Sequence, residues 1–201
     1  MTSVPVTVYV EMTPNPSTMK FVANKYLLIS GESVEFHSGA EAKGYSPLAE
    51  ELFHFPFVKT VFITANFVTI AKNDTISWDF VTMELREFIK NWIAEGKDVL
   101  IQMPAPKLKV TDKDNAKPVK EHVPSEYDDA IRSLLDEYVR PAVEGDGGAI
   151  DFVGFEKGIV TVALRGSCSG CPSSTATLKG GIENLLKQHL SEVKEVVAES
   201  L

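Results

Sequence analysis

Two residues of this chain stand out as able to do chemistry, Cys168 and Cys171, and they are its only cysteines. A Cys-x-x-Cys spacing brings two sulfur atoms to one metal ion or one redox centre. The residues around the pair are small: Gly166, Ser167, Ser169 and Gly170. Because glycine lets the backbone approach a bound group closely, residues 166–171, which we call the cysteine loop, form a candidate binding site.

A zinc ion is the first ligand to consider for this pair. A closed structural zinc site needs four nitrogen or sulfur ligands, and one cysteine loop supplies two. The chain also has four histidines, none of which lies at zinc-finger spacing from the pair: His37, His54, His122 and His189. A zinc site within one chain is therefore disfavoured, whereas a zinc ion shared between two chains stays open.

Thiol–disulfide exchange is the second possibility, because thioredoxin-like enzymes also carry a Cys-x-x-Cys pair at the start of a helix. Two features argue against it. The pair follows a predicted hairpin late in a short C-terminal segment, and a serine, Ser167, stands where thioredoxins commonly have an aromatic residue. We keep a dithiol–disulfide oxidoreductase as the alternative function.

An iron–sulfur cluster is the third possibility. Clusters of the [4Fe–4S] and [2Fe–2S] types are usually held by four cysteine thiolates. Since one chain offers two, a pair of chains would have to supply the set, most simply as a twofold dimer in which each contributes the same loop. Such a site lies near the surface, where the thiols of an acceptor protein can reach it.

The elements on either side of the cysteine loop must position it. Residues 150–155 and 159–164 are predicted to form a hairpin before the loop, and Pro172 is predicted to begin a helix after it. A helix N-terminus carries unpaired N–H groups and a partial positive charge, and both favour a thiolate over a thiol. Arg165 would add a positive charge if its side chain points toward the loop.

The composition changes abruptly between the two ends of the chain. Residues 104–123 are rich in proline and charge and contain no aromatic residue, which is typical of a flexible linker. We therefore predict an α+β protein with two small mixed domains, residues 1–103 and 124–201, joined by this linker. The C-terminal domain is predicted to have the order α-β-β-α-β.

Hydrophobic patterning predicts the remaining elements. Asp79 is expected to cap a long helix and Gly96 to end it. Ser125 and Asp128 resemble a capping box, and Pro141 is expected to end or kink the helix that follows. The turn at residues 145–148 is expected to need glycine for its backbone conformation rather than to bind a ligand. Short strands are predicted in the N-terminal part at residues 6–11, 19–22, 34–36, 58–63 and 67–71.

The charge balance excludes some classes of partner. The net charge is −8, so binding to nucleic acid, which needs clustered Lys and Arg, is not expected. No apolar run approaches the roughly 20 residues of a membrane span. Residues 1–10 resemble neither a secretory signal nor a transit peptide, and on that ground we expect a bacterial cytoplasmic protein.

Several motifs resemble those of a known family. Residues 125–200 resemble the C-terminal domain of NifU, also called the Nfu domain, through two stretches, residues 140–148 and 164–174. Residues 8–97 resemble the Nfu N-terminal domain, most clearly at residues 13–16 and at Lys20-Phe21. The resemblance covers most of the chain outside the linker.

The resemblance implies a function. It implies that Cys168 and Cys171 of two chains bind a [4Fe–4S] cluster between them, so that the loaded protein is a homodimer. It further implies a non-enzymatic carrier or scaffold that receives clusters from upstream assembly scaffolds and transfers them to apo iron–sulfur proteins. The N-terminal domain would dock partners, and Gly166, Ser167, Ser169 and Gly170 would support the cluster.

Overall fold

The fold is that of a computed structural model, which describes residues 5–28, 32–104, 124–169 and 172–200. These residues form two β-sheets, one of five strands and one of three, each with its own helices. The predicted α+β class with two small mixed units is confirmed. Apart from Pro104, the predicted linker lies outside the described residues, and so do Gly170 and Cys171. Every helix in the described ranges is too short or too polar to cross a membrane.

The N-terminal unit is an antiparallel sheet covered on one side by helices. Its strands lie in the spatial order β1-β2-β5-β4-β3, and all the predicted strands are present. The elements are β1 (Val8–Met12), β2 (Thr18–Ala23), β3 (Ser33–Phe36), α1 (Gly39–Ala42), α2 (Pro47–Leu52), β4 (Val58–Thr64), β5 (Phe67–Lys72) and α3 (Trp78–Ala94).

Local sequence explains where these helices begin and end. Ser46 caps α2, accepting a hydrogen bond from the N–H of Ala49 at 3.1 Å. The N-cap of α3 is Ser77 rather than the predicted Asp79, because the serine oxygen accepts from the Asp79 N–H. Asp79 instead lies in the first turn, where a carboxylate complements the helix dipole. Gly96, with φ of +70°, follows the end of α3 as predicted.

The C-terminal unit has the predicted order of helix, hairpin, helix and strand. Its elements are α4 (Asp128–Leu134), a π-helical segment (Leu135–Val139), α5 (Arg140–Gly145), β6 (Gly148–Glu156), β7 (Ile159–Gly166), α6 (Pro172–His189) and β8 (Glu195–Ser200). Lys157 and Gly158, both with positive φ, close the β6–β7 hairpin. Strand β8 pairs parallel to β7 after the crossover through α6.

The first helix of this unit differs in detail from the prediction. One contact of a capping box is present, since the Ser125 N–H donates to Asp128 Oδ2 at 3.2 Å, while the Ser125 hydroxyl accepts from the Tyr127 N–H at 3.2 Å. Pro141 neither ends nor sharply breaks the helix. The turn before it widens into the π-helical segment, which accommodates a residue that has no N–H to donate.

Each unit has a separate apolar core. The N-terminal core lies between α1, α2, α3 and one face of the sheet, and includes Phe21, Phe36 and Leu85. The C-terminal core lies between the helices and the three-stranded sheet, and it includes Cys168. A third, small cluster of Val22, Phe62, Phe67 and Ala149 joins residues of both units.

The small cluster reveals that the five-stranded sheet is covered on both faces. Side chains alternate between faces along a strand, and every residue of β2 is buried. Val68 and Ile70 of β5 point into the N-terminal core. Phe67 and Thr69 lie on the opposite face, and the C-terminal unit packs on this second face.

Candidate functional site

The described part of the cysteine loop is a tight turn at the end of β7. Gly166 has φ of +66°, a conformation that favours glycine. Its carbonyl accepts from the N–H of Ser169 at 3.2 Å and from the Ser169 hydroxyl at 2.9 Å. Thr175 of α6 donates its hydroxyl to the Cys168 carbonyl at 3.2 Å. The loop between β7 and α6 is therefore tied to both elements, as the sequence predicted.

Cys168 is a core residue rather than a surface residue. Only 7% of it is exposed, and it packs within the C-terminal core. Its sulfur lies against Gly148, the first residue of β6, where an added Cβ would stand 2.8 Å from Sγ. The neighbouring Ser167 hydroxyl lies 3.8 Å from Sγ. The packing around this sulfur therefore requires glycine at position 148.

Burial sets the protonation of this thiol. It raises the pKa of Cys168, and the carboxylate of Asp146 acts in the same direction, against a lowering effect of the Ser167 hydroxyl. The expectation that the helix N-terminus favours a thiolate stays a prediction. At Cys168 burial opposes it, because the residue lies four residues before the start of α6 at Pro172 and is removed from water.

Arg165 pairs with residues outside the cysteine loop. Its guanidinium pairs with Asp151 Oδ2 at 2.7 Å and donates to the hydroxyl and carbonyl of Ser33 at 3.1 and 3.3 Å. Ser33 belongs to β3 of the N-terminal unit. The arginine thus links the strand before the cysteine loop to the other sheet.

The second face of the five-stranded sheet contacts the cysteine loop and the turn beside it. Asn15 donates to the Ser167 carbonyl at 3.2 Å, and the Gly166 N–H donates to Glu35 Oε1 at 3.1 Å. Lys20 donates to the Gly145 carbonyl and Thr69 to the Gly147 carbonyl. Ser33 accepts the two hydrogen bonds from Arg165. We call the five residues of the N-terminal unit the loop-binding face: Asn15, Lys20, Ser33, Glu35 and Thr69.

Strand register explains how residues distant in sequence form one face. Lys20 of β2 is opposite Thr69 of β5, which is opposite Phe62 of β4. Phe62 is in turn opposite Glu35 of β3. These four residues form one row across the sheet, with polar groups at its ends and an aromatic ring in the middle. Phe62 also lies under the loop, where a Cβ on Gly166 would be 3.0 Å from its ring.

Glu35 is the charged member of the row that lies next to the cysteine loop. Burial raises its pKa, although His37, the Gly166 N–H and Arg165 each act to lower it. Sequence reasoning missed Glu35 and the rest of the loop-binding face. Two features of the sequence could have indicated it. The side chains of β2 and β5 are compatible with burial on both faces of the sheet, and the motif at residues 13–16 contains Asn15.

The other predicted site residues are neighbours of Cys168 in the sequence. Ser167 is buried and its hydroxyl donates to the Asp146 carbonyl, so its role here is to hold the turn. Gly170 and Cys171 lie outside the described residues. Within the described ranges, no three His, Cys, Asp or Glu side chains are grouped so that they could hold a metal ion.

Comparison with known proteins identifies both units. Residues 8–96 match the family described as scaffold protein Nfu/NifU N terminal, and residues 131–197 match the NifU-like domain. The NifU-like protein 4, mitochondrial, of Arabidopsis thaliana is 38% identical over 94% of this chain and 64% of its own length. The mitochondrial NFU1 iron-sulfur cluster scaffold homolog of Drosophila ananassae is 37% identical over 92% of this chain and 61% of its own.

A solved structure is also similar. It is a NifU-like protein from Saccharomyces cerevisiae, with 23% identity and a TM-score of 0.46, matched over 51% of this chain and 92% of its own.

The comparisons overturn the expected location. Both relatives are named as mitochondrial proteins, so the expectation of a bacterial cytoplasmic protein is wrong. The expectation failed because it relied on residues 1–10 lacking an address. This chain spans only 61 to 64% of the length of these relatives, so its first residues carry no information about location.

Proposed function

Because the chain belongs to the Nfu family of iron–sulfur cluster scaffold proteins, we propose that it carries a [4Fe–4S] cluster held between two copies and delivers that cluster to apo-proteins. Cys168 and Cys171 of each copy are the ligands. The cluster is cargo that the protein takes up and hands on. The pair of chains is a homodimer when loaded.

One observation carries this proposal: the chain has two cysteines, and a cluster of this type usually takes four thiolates. The described residues offer no group of His, Asp or Glu near Cys168 that would complete the set. A second chain is therefore the simplest source of the missing ligands, and a twofold axis through the cluster gives both loops the same role.

The residues around Cys168 fit a ligand role once the thiol has ionised. Gly148 leaves room for the sulfur, and the Thr175 and Ser169 hydroxyls fix the backbone on either side of it. Gly166, Ser167, Ser169 and Gly170 support the ligands. The raised pKa of Cys168 opposes ionisation, so binding of iron to its thiolate has to displace a proton.

Delivery is an exchange of ligands and involves no catalysis of a covalent reaction. Thiolates of an apo iron–sulfur protein replace those of one chain, and upstream assembly scaffolds supply the cluster by the reverse exchange. Residues 1–103 dock these partners, residues 124–201 bind the cluster, and residues 104–123 allow the two to move apart. The dithiol–disulfide oxidoreductase and the shared zinc site gain no support from the family to which the chain belongs.

Anaerobic reconstitution with iron and sulfide tests the proposal. We expect a dimer with about two iron and two sulfide ions per chain. Cys168→Ala and Cys171→Ala should each abolish uptake while the far-ultraviolet circular dichroism stays unchanged. Ser191→Ala, which alters an exposed serine in the turn before β8, should load normally.

Three outcomes would contradict it. A monomer that holds a complete cluster with its own side chains removes the need for a partner. Bound zinc without sulfide favours the shared zinc site. Catalytic reduction of a disulfide by metal-free protein favours the oxidoreductase.

A further inference from the structure

We propose that the loop-binding face of the N-terminal sheet is a docking surface for residues 166–169 of the cysteine loop and for the turn at residues 145–148 of its own chain, and that the two must separate before two loops can share a cluster. The second part rests on the function proposed above. The first part stands on the described contacts alone.

The contacts are directed at the backbone of the loop and its neighbouring turn. Lys20 donates to the Gly145 carbonyl at 3.1 Å, and Thr69 donates to the Gly147 carbonyl at 2.7 Å. Asn15 reaches the Ser167 carbonyl in the same way. A hydrogen bond to a main-chain carbonyl depends on where the backbone runs, so this face recognises the shape of the turn.

The glycines of the turn make that close approach possible. Gly147 has φ of +83°, and a Cβ there would meet the Thr69 hydroxyl at 3.0 Å. A Cβ on Gly166 would stand 3.0 Å from Phe62. Both glycines would therefore be needed for docking, in addition to any need set by their own backbone conformation.

Polar residues of the N-terminal sheet are buried at the contact. Asn15, Lys20 and Thr69 are at most 8% exposed, and each donates a hydrogen bond to a carbonyl of the C-terminal unit. A buried polar group without a partner is costly, and these carbonyl groups remove that cost. The face fits a partner that offers carbonyl groups at these positions.

The contact is also built to be reversible. Its apolar part is small, consisting of Val22, Phe62, Phe67 and Ala149, and it is surrounded by polar contacts that water can replace. Interfaces of this kind between domains of one chain resemble transient protein interfaces. Separation therefore does not require either core to unfold.

Docking and cluster sharing compete for the same place. The face contacts Gly166 and Ser167, the two residues immediately before Cys168. A second cysteine loop must come close enough for its sulfurs to bind the same cluster as Cys168. The N-terminal sheet stands against that side of the loop, so we infer that loading moves it away.

Charge reversal of Glu35 tests the docking. Glu35→Lys removes the acceptor of the Gly166 N–H and places a positive charge beside Arg165. In metal-free full-length protein we expect a larger radius of gyration by small-angle X-ray scattering. Modification of the thiols by an aromatic disulfide reagent should be about tenfold faster, the effect of losing a hydrogen bond to a charged group.

Two further variants keep the test interpretable. Thr69→Val preserves the charge and shape of the strand but removes the donor to Gly147, and it should change both measurements in the same direction and by less. Glu84→Lys makes the same charge change on the exposed side of α3 and should match the unaltered protein. Circular dichroism confirms that each variant is folded.

The outcomes separate the two parts of the proposal. An unaltered protein that is already as extended as folded Glu35→Lys would overturn the docking. Cluster uptake by Glu35→Lys should be faster than in the unaltered protein, and equal or slower uptake would overturn the separation step. If no variant takes up a cluster, the proposed function fails and the separation step fails with it, while scattering still decides the docking.

Discussion

The two apolar cores of this molecule differ in the kind of residue that they contain. The N-terminal core is built from apolar packing residues such as Phe21, Phe36 and Leu85, which lie between one face of the sheet and its helices. In the C-terminal unit a residue with chemistry, Cys168, is itself part of the core. In the C-terminal unit, therefore, the same residue both packs in the core and carries the reactive thiol.

This difference has a consequence for the thiol. A sulfur held in a core is protected from water and oxidants, and the same burial raises its pKa. Access to Cys168 must therefore come from movement around it. The loop-binding face, which lies against the adjacent residues, is the part of the N-terminal unit whose position affects that chemistry.

The largest expected effect is a loss of stability from a change in the N-terminal core that leaves cluster binding unchanged. Leu85→Ala deletes a fully buried side chain of α3 and should lower the free energy of unfolding by about 2–5 kcal/mol. Iron and sulfide bound per chain should stay unchanged under conditions where the protein is folded. Urea unfolding gives the first quantity and metal analysis the second.

Met83→Ala is the matched control for this change, because Met83 lies on the same helix and is 57% exposed. It should alter the stability by no more than about 0.5 kcal/mol. A loss of cluster binding in folded Leu85→Ala would show that the N-terminal core is not independent of the cysteine loop.

The next largest effect is a change in the C-terminal core that lowers both the stability and the retention of the cluster. Gly148→Ala would place a Cβ 2.7 Å from the Arg165 carbonyl and 2.8 Å from Cys168 Sγ. We expect a loss of about 1–3 kcal/mol of stability from overpacking and a weakened cluster, measured as its rate of loss to a chelator. Both should change together, because the same atoms are displaced.

Gly180→Ala provides the comparison, since a Cβ there meets nothing within 4 Å and lies on α6. It should raise the stability by up to about 1 kcal/mol, the difference in helix propensity between the two residues. Normal cluster retention in a destabilised Gly148→Ala would mean that the sulfur moves away from β6 when it binds iron.

Much of the fold followed from local sequence. The hairpin before the cysteine loop, the helix after it and the short strands of the first unit all have patterns that span a few residues. The widened turn before Pro141 was not predicted, because a π-helical segment and a kinked α-helix share the same pattern of apolar residues. The capping residue of α3 was placed two positions late.

The position of the cysteine loop was predictable from the sequence, whereas its surroundings were not. Cys-x-x-Cys spacing pointed to the loop, but burial of Cys168 depends on Gly148, which is brought there by hairpin register. The loop-binding face depends on residues as far apart as Asn15 and Ser167. Every residue of β2 is buried, yet no local pattern in the sequence says what covers the second face of the sheet.

The smallest expected effect concerns pH at the contact between the two units. Burial raises the pKa of Glu35 above its ordinary value of 4.5, despite the opposing effects of His37, the Gly166 N–H and Arg165. A carboxyl with a raised pKa contributes stability when the pH is below its ordinary pKa, and loses that contribution as the pH rises through the raised pKa.

Glu35→Gln keeps an oxygen that can accept from the Gly166 N–H and removes the titrating group. The variant should therefore gain stability relative to the unaltered protein as the pH is raised from about 4 to about 8, measured as the difference between their urea midpoints. A flat difference for Glu35→Gln would mean that the carboxylate is well solvated because the two units are apart in solution.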